Sequence, residues 1–464
     1  MDLAVKLVND VLMFIWELFT WTWWFWLFLV VRGLAVSTWL FWRREWYKKF
    51  EARRIILEIR VPREISKSPR AMEQVLASMH SMYNVAGNLR EKWWDGEVVR
   101  WFTLEMTSMG GEIHLYVTMY HKYRNLVEAA FYSYYPDVEL EEVEDYTTLF
   151  PEDIQEMYNQ GYDLWGTEMV LAKEPYYPIK TYEDFESPDE DKQYDPISAF
   201  LEILGQVKPE QMVGIQIHIT PASMKEWRDK YEDKIKELKE HAQKGGGSGP
   251  KKSATMNVSF ESGFLPIFDV QKKEEKKSEF DALKSLSRSP GETEVLRAVE
   301  ENLSKPAFKT LVRFIYFSPA SLFYDSFARR GLAGSFNQYG TTDMNMFVQN
   351  YSVSTKVDLW TWSIPRFFPA IRREYRKQRL LYEYRKRKKP LSNFMGKIIT
   401  SHFFNWNFAS REFMMNTKCL ASLFHPPTTM VLTAPHIRRM ESRKAGPPAG
   451  LAIFGDEDEL EKFL

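Results

Sequence analysis

The residues best placed for chemistry are the cations gathered between Arg366 and Lys389. Arg366, Arg372, Arg373, Arg376, Lys377, Arg379, Arg385, Lys386, Arg387, Lys388 and Lys389 stand against only Glu374 and Glu383 in that stretch, an excess of nine positive charges. Tyr375, Leu380, Leu381, Tyr382 and Tyr384 are interleaved, so a helix here sets arginines on several sides. Three uses of such a stretch stay open. It can neutralise the phosphates of DNA in transit, with steep salt dependence. It can rest against anionic headgroups, at about 1 kcal/mol per basic residue near the surface. It can also be a solvated helix that meets an acidic patch on a partner.

Other chemistries find less support. The run GGGSGPKKS at Gly245–Ser253 lacks the glycine that must precede the lysine of a phosphate-binding loop. Pro250 stands there instead and has no N–H for a phosphate. No G-x-G-x-x-G leads from a strand into a helix, and there is no H-E-x-x-H. The eight histidines are scattered, and His218, alternating with apolar neighbours, is expected to point outward. Cys419 is the single cysteine, which excludes an internal disulfide and a cysteine-rich zinc site and is expected to be a buried thiol. The acidic stretch Glu183–Asp195 reads as a solvated loop, or as a lure for a cation or basic partner. The sequence therefore assigns no catalytic residue, no cofactor and no metal. An enzyme that uses no known motif is the remaining reading of that kind.

The elements that position these residues begin with a membrane anchor. Val11–Val31 is a run of 21 residues whose one charge is Glu17. As a helix it spans a hydrocarbon core of about 30 Å. Eight of the sixteen tryptophans fall within the first 46 residues, and the outer ones suit an interfacial belt. The apolar stretch Gly33–Trp42 either extends the span or lies along the interface. Glu17, near one end of the run, either snorkels or is protonated, or marks an intramembrane site. Lys6 alone is basic before the run, whereas Arg32, Arg43, Arg44, Lys48, Lys49, Arg53 and Arg54 follow it. The positive-inside rule then predicts a single pass through the cell membrane with the C-terminal body in the cytoplasm. The poorly basic start and the lack of a small-residue cleavage site argue against a cleaved signal peptide.

A chain of 464 residues with 44% hydrophobic and 27% charged residues is large enough for two or three domains. Its net charge of −1 carries no global bias toward nucleic acid. Residues 1–50 form the anchor and its basic flank. Residues 53–145 alternate as strand, helix, hairpin, helix and strand, the βαββαβ order of a ferredoxin-like unit. Residues 164–360 are expected to repeat that order, with a strand over Glu168–Ala172, a helix after Asp195-Pro196, strands over Met212–Thr220 and Phe308–Phe317, a helix over Leu322–Arg330 and a strand over Met344–Val353. The segments IHITPAS and IYFSPAS echo one another at equivalent strand ends. A flexible insertion at about 222–305 includes a charge-rich helix over Lys225–Lys244 with little apolar face, the linker KGGGSGPKKSAT, and poor order from about 244 to 290. Residues 361–464 are assigned to the basic helix and a C-terminal strap. The predicted fold class is α+β: an N-terminal transmembrane helix, two ferredoxin-like units and an extended proline-rich strap.

The C-terminal segment carries the most distinctive text; Phe413–Pro427 reads as a short helix capped near Asn416-Thr417 with Leu420, Ala421, Leu423 and Phe424 buried, and the proline-rich strap follows it. FMMNTKCLASLFHPP at Phe413–Pro427 resembles an F-x-x-N-T-x-E-L-A-x-L-x-H-x-P element of type IV secretion and conjugation proteins associated with a HerA/FtsK-type motor. Phe413, Asn416, Thr417, Leu420, Ala421, Leu423, His425 and Pro427 carry the match, and Cys419 stands where that family has Glu. The following run with Pro435, Arg438, Glu441, Lys444, Pro447, Pro448 and Leu451 resembles the proline-rich crossing into the motor domain. The resemblance covers about 45 residues and implies a membrane-anchored, non-catalytic component that positions a hexameric translocation ATPase. Because no phosphate-binding loop follows, the motor is expected on a separate chain. The implied partners are the membrane and that ATPase, with DNA and an oligomer both allowed. A membrane-tethered scaffold of an unrelated envelope complex is the alternative.

Overall fold

The computed structural model describes residues 2–50, 53–62, 67–186, 194–241, 290–324, 326–356, 368–390 and 408–428. The linker, the basic residue Arg366 and everything beyond Thr428, including the proline-rich strap, lie outside the described residues.

The first element, α1, is one continuous helix over Asp2–Phe50. Gly33 does not interrupt it, so the apolar stretch after Val31 continues the same helix. Thr20–Lys48 is long and apolar enough to cross a membrane, and its large side chains from Trp21 to Val31 are exposed. There follow β1 (Arg54–Arg60), α2 (Arg70–His80), β2 (Phe102–Met109), β3 (Glu112–Tyr120), α3 (Arg124–Tyr134), β4 (Glu139–Val143) and α4 (Ile154–Asn159). Next come β5 (Tyr162–Leu171), α5 (Ser198–Gly205), β6 (Met212–Pro221), α6 (Lys230–His241), α7 (Pro290–Ser304) and β7 (Ala307–Pro319). The chain closes with α8 (Ala333–Asn337), β8 (Phe347–Gln349), the basic helix α9 (Pro369–Arg385), β9 (Phe413–Asn416) and α10 (Thr417–Leu423).

Among the described residues nine strands form one antiparallel sheet, ordered β4-β1-β3-β2-β6-β7-β5-β8, with β9 pairing β7. The two halves are in mirrored order and meet where β2 pairs β6, from Phe102↔Ile219 to Met109↔Met212. The register sorts side chains into two rows one residue apart. Leu57, Val117, Leu104, Ile217, Val312 and Met169 lie side by side across the sheet. This row faces the apolar stripes of α2, α3, α5 and α10, including Met72, Val75, Phe131, Phe200 and Leu420. On the opposite face Glu58, Tyr116, Glu105, Gln216, Arg313 and Glu168 form a second transverse row. The α9 helix covers that face. Gly214 admits it, since a Cβ there would overlap the Tyr384 hydroxyl.

Several elements differ from the sequence expectation. The strand expected over Glu168–Ala172 is β5, which starts at Tyr162 because the aromatic Tyr162 and Trp165 continue the pairing with β7. The strand expected over Met344–Val353 shrinks to Phe347–Gln349, and the helix expected over Leu322–Arg330 falls later, over a wide turn at Phe327–Leu332 and then α8. The helical stretch from Lys225 does have an apolar face: Trp227 and Tyr231, one turn apart, are buried against Val299 and Leu303 of α7. His218 is fully buried rather than outward. Its alternation with Ile217 and Ile219 is real, but the second face of the sheet is covered too.

Candidate juxtamembrane basic site

The basic stretch separates into cations that turn inward and cations that gather at the foot of α1. Pro369 opens α9, where a missing N–H costs nothing. Arg372 and Arg376 are buried. Arg376 donates to the carbonyls of Tyr351 at 3.1 Å and Ser354 at 2.9 Å, and burial, with Arg372 beside it, brings its pKa down to about 10. Lys377 pairs with Asp163 at 2.5 Å. Glu383 bridges Arg379 at 3.0 Å and Arg313 at 2.7 Å, and Arg313 also pairs with Glu168 at 2.8 Å.

Arg387 is the deepest of these ties. It bends into a left-handed backbone conformation, φ +47°, and reaches Glu105 at 2.5 Å and Asp145 at 2.7 Å. Glu105 also accepts from Thr118 at 2.8 Å, Tyr146 at 2.5 Å and Gln216 at 3.3 Å. Burial works to raise the Asp145 pKa, but the Arg387 guanidinium outweighs it and holds the carboxyl below its usual range. Burial, together with Arg313, Lys389 and neighbouring arginines, drives the His218 pKa down, so this ring stays neutral under the polar row. The acidic patch that meets the basic helix therefore belongs to this same chain.

Of the other described cations, Arg373 and Lys386 are exposed and Arg385, Lys388 and Lys389 are partly buried. Arg385 and Lys386 approach Glu152 at 3.4 and 3.3 Å. Lys388 donates to the Tyr382 hydroxyl at 2.7 Å and stands 3.9 Å from Glu45 of α1. Lys389 pairs with Glu412 at 2.6 Å, and burial lowers its pKa. Lys386, Lys388 and Lys389 line one side of a cavity of about 1010 Å³ whose other walls are Trp42, Trp46 and Lys48 of α1, with Arg54, Trp101 and Lys309. The foot of α1 is seated there by Trp39, which donates to the Trp93 carbonyl at 2.9 Å, and by Arg43, which donates to that of Trp94. Gly96, φ +69°, permits this approach, because a Cβ would lie 2.8 Å from the Arg43 backbone.

The second group of predicted residues forms a lock inside the fold. Phe413 to Asn416 pair with β7 as Thr310↔Phe413 through Ala307↔Asn416. Asn416 caps α10, its side chain accepting from the Cys419 N–H at 2.7 Å. Thr417 donates its N–H to the Pro306 carbonyl at 3.0 Å. Leu420, Ala421, Leu423 and Pro427 are buried. His425 sits between the Ala421 carbonyl and Asp195, each at 2.7 Å, and Asp195 also accepts from Thr428. Burial opposes ionisation of Asp195, but His425 and Thr428 overcome it and bring its pKa down to about 2. At one end of the acidic stretch Asp195 is thus buried and anchored, whereas at the other Glu183 pairs with Lys418 at 2.5 Å but stays exposed, as a solvated loop implies. Burial lifts the Cys419 thiol to about 12, leaving it protonated.

The sequence reading did not bring Lys48, Arg54, Trp101, Lys309 or Glu412 into the site. Lys48 and Arg54 alone carried a local signal, as members of the basic flank that follows the apolar run. Among the described residues no group of three or more His, Cys, Asp or Glu is arranged to hold a metal ion.

These features define an α+β protein built on one antiparallel sheet, with an N-terminal helix long and apolar enough to cross a membrane. The chain belongs to the DUF8128 family, a domain of unknown function, whose model matches residues 44–439. No curated protein matches it in sequence.

Proposed function

We propose that this chain is a membrane-anchored, non-catalytic component of a type IV secretion or conjugation-like translocation machine, and that it positions a separate hexameric ATPase of the HerA/FtsK type at the cytoplasmic face. The observation that carries the anchor is α1, whose apolar surface is exposed along the span while its foot is clamped to the body through Trp39, Arg43 and Gly96. The cations after the span favour a cytoplasmic body. The mirrored strand orders, each fourth-first-third-second, support two ferredoxin-like units joined edge to edge. The resemblance at Phe413–Pro427 supports the translocation machine. In this reading β9 and α10 fix the resembling segment in the sheet, and the motor is met through residues 429–464 that follow it.

The test is purification of the full chain from native membranes after crosslinking. Carbonate-resistant protein, shielded from protease added outside intact cells, with a phosphate-binding-loop ATPase crosslinked through residues 429–464, is expected. Release by carbonate refutes the anchor. Digestion of the body from outside refutes the orientation. An anchored protein that yields envelope proteins but no ATPase replaces the machine with a scaffold of another complex.

A further inference from the structure

We infer that the cavity at the foot of α1 binds the phosphate-bearing headgroup of an anionic phospholipid. The inference rests on the membrane-anchored reading and is independent of the ATPase. Height is the first argument. The apolar sequence of α1 runs from Val11 to Trp42, broken only by Glu17 and Arg32, and ends at Arg43 and Arg44, where clustered charge marks the water-facing end of a span. Trp42, Trp46 and Lys48, which line the cavity, straddle that end and therefore lie at headgroup level.

A second element reaches the same level. The wide helical turn Glu91–Asp95 packs beside Trp39, and the Trp39 and Trp94 rings are 5.9 Å apart. Around it Leu89 is 77% and Trp94 63% exposed, with Val85 and Trp93 exposed beside them. Such a patch is costly in water and favourable at a bilayer interface, where tryptophan concentrates. Val85 also lines the cavity, so the mouth opens between two elements that share the interface.

Charge selects the ligand. Six cations line the cavity against Glu45, Glu226 and Glu412. Each carboxylate already holds a lysine: Lys48 at 2.9 Å, Lys309 at 2.8 Å and Lys389 at 2.6 Å. Of the other three, Lys386 is paired outside the cavity with Glu152 at 3.3 Å, so the excess falls chiefly on Arg54 and on Lys388, whose nearest carboxylate, Glu45, is 3.9 Å away and already holds Lys48. Arg54 is held 4.4 Å over the Trp101 ring and donates to the Lys386 carbonyl at 3.1 Å, and Lys388 lies 4.7 Å over the Tyr382 ring. Preorganised cations beside aromatic walls suit a phosphodiester whose glycerol and acyl chains run back along α1. The volume is at the upper end of small-molecule sites and accommodates a headgroup with its glycerol.

The test uses the full chain in neutral detergent, titrated with phosphatidylglycerol or phosphatidylcholine, with bound lipid counted by native mass spectrometry. The wild type is expected to retain phosphatidylglycerol at least about tenfold more tightly than phosphatidylcholine. The double variant Arg54→Gln with Lys388→Gln loses about twenty-five-fold in phosphatidylglycerol affinity, each basic residue near an anionic surface being worth roughly a factor of five. Phosphatidylcholine binding is unchanged, and Lys208→Gln on the distant loop before β6 behaves as wild type. If the double variant loses its near-ultraviolet circular dichroism, Lys388→Gln alone is read, with about a fivefold loss. Equal binding of the two lipids, or an undiminished preference in the variant, overturns the inference. Displacement of phosphatidylglycerol by inorganic phosphate or by a short DNA duplex at matched concentration also overturns it, in favour of a free anion or nucleic acid. Carbonate-resistant protein without lipid preference sinks this inference alone, whereas carbonate-soluble protein sinks the anchor as well.

Discussion

The two faces of the sheet differ in what holds them, although both are buried. Leu104 and Glu105 are neighbours on β2, and each is 0% exposed. Leu104 belongs to a row of aliphatic side chains under amphipathic helices, where burial of apolar area is the stabilising term and is tolerant of small shifts. Glu105 belongs to a row of carboxylates, amides and a guanidinium, where burial is unfavourable unless each charge finds its partner. Those partners arrive with the residues around α9: Glu383 for Arg313, and Arg387 for Glu105. Apolar contact lets a helix settle anywhere on a stripe, whereas ion pairs of this geometry specify one seat for α9. A basic stretch that reads as a ligand for something external is thus, over half its length, an internal fastening.

The comparison breaks or sharpens under substitution. The largest effect is expected for Glu105→Ala, which leaves Arg387 buried against Asp145 alone and costs about 3–5 kcal/mol in denaturant unfolding of the full chain. Exchange of Glu105 and Arg387 together for leucine is expected to cost much less than the sum of the single changes, and an additive result would show that the two are not coupled. Leu104→Ala, one residue away on the other face, costs about 2–5 kcal/mol through a cavity, and this loss is the same at pH 5 and pH 8.

Asp195 is the charged exception beneath the apolar side. Its pKa of about 2 lies below the ordinary aspartate value of 3.8, so its contribution is present above pH 3.8 and disappears as pH falls through 2. Asp195→Asn should therefore lower stability by about 2 kcal/mol at pH 7, with the gap to wild type closing toward pH 2. A gap that persists at pH 2 would assign the loss to packing rather than charge. The smallest effect is expected for Asn416→Ala, about 1 kcal/mol from loss of the α10 cap, read as a shift of the denaturant midpoint at constant slope.

Much of the frame was legible along the chain. The hydropathy of Val11–Val31 marked α1, and alternation located β1, β6 and β7 within a few residues, because these patterns are set by local geometry. The helix signal at Ser68-Pro69 and the apolar stripe Met72, Val75, Leu76 and Met79 placed α2 correctly. The charge-rich stretch from Lys225 was misjudged because its apolar stripe is sparse and its cover, α7, follows some 60 residues later.

Residue types and spacing by themselves determined the apolar span, the strands, the main helices and the existence of a concentrated positive charge. Tertiary structure alone decided which way that charge faces. Alternation of polar and apolar residues reports a wet face only when one side of a sheet meets water, and here both sides are covered, so His218 and Glu105 are buried. The carboxylate that claims Arg387 stands 282 residues earlier in the chain, beyond any local pattern, and only the closing of the sheet beneath α9 brings the two together.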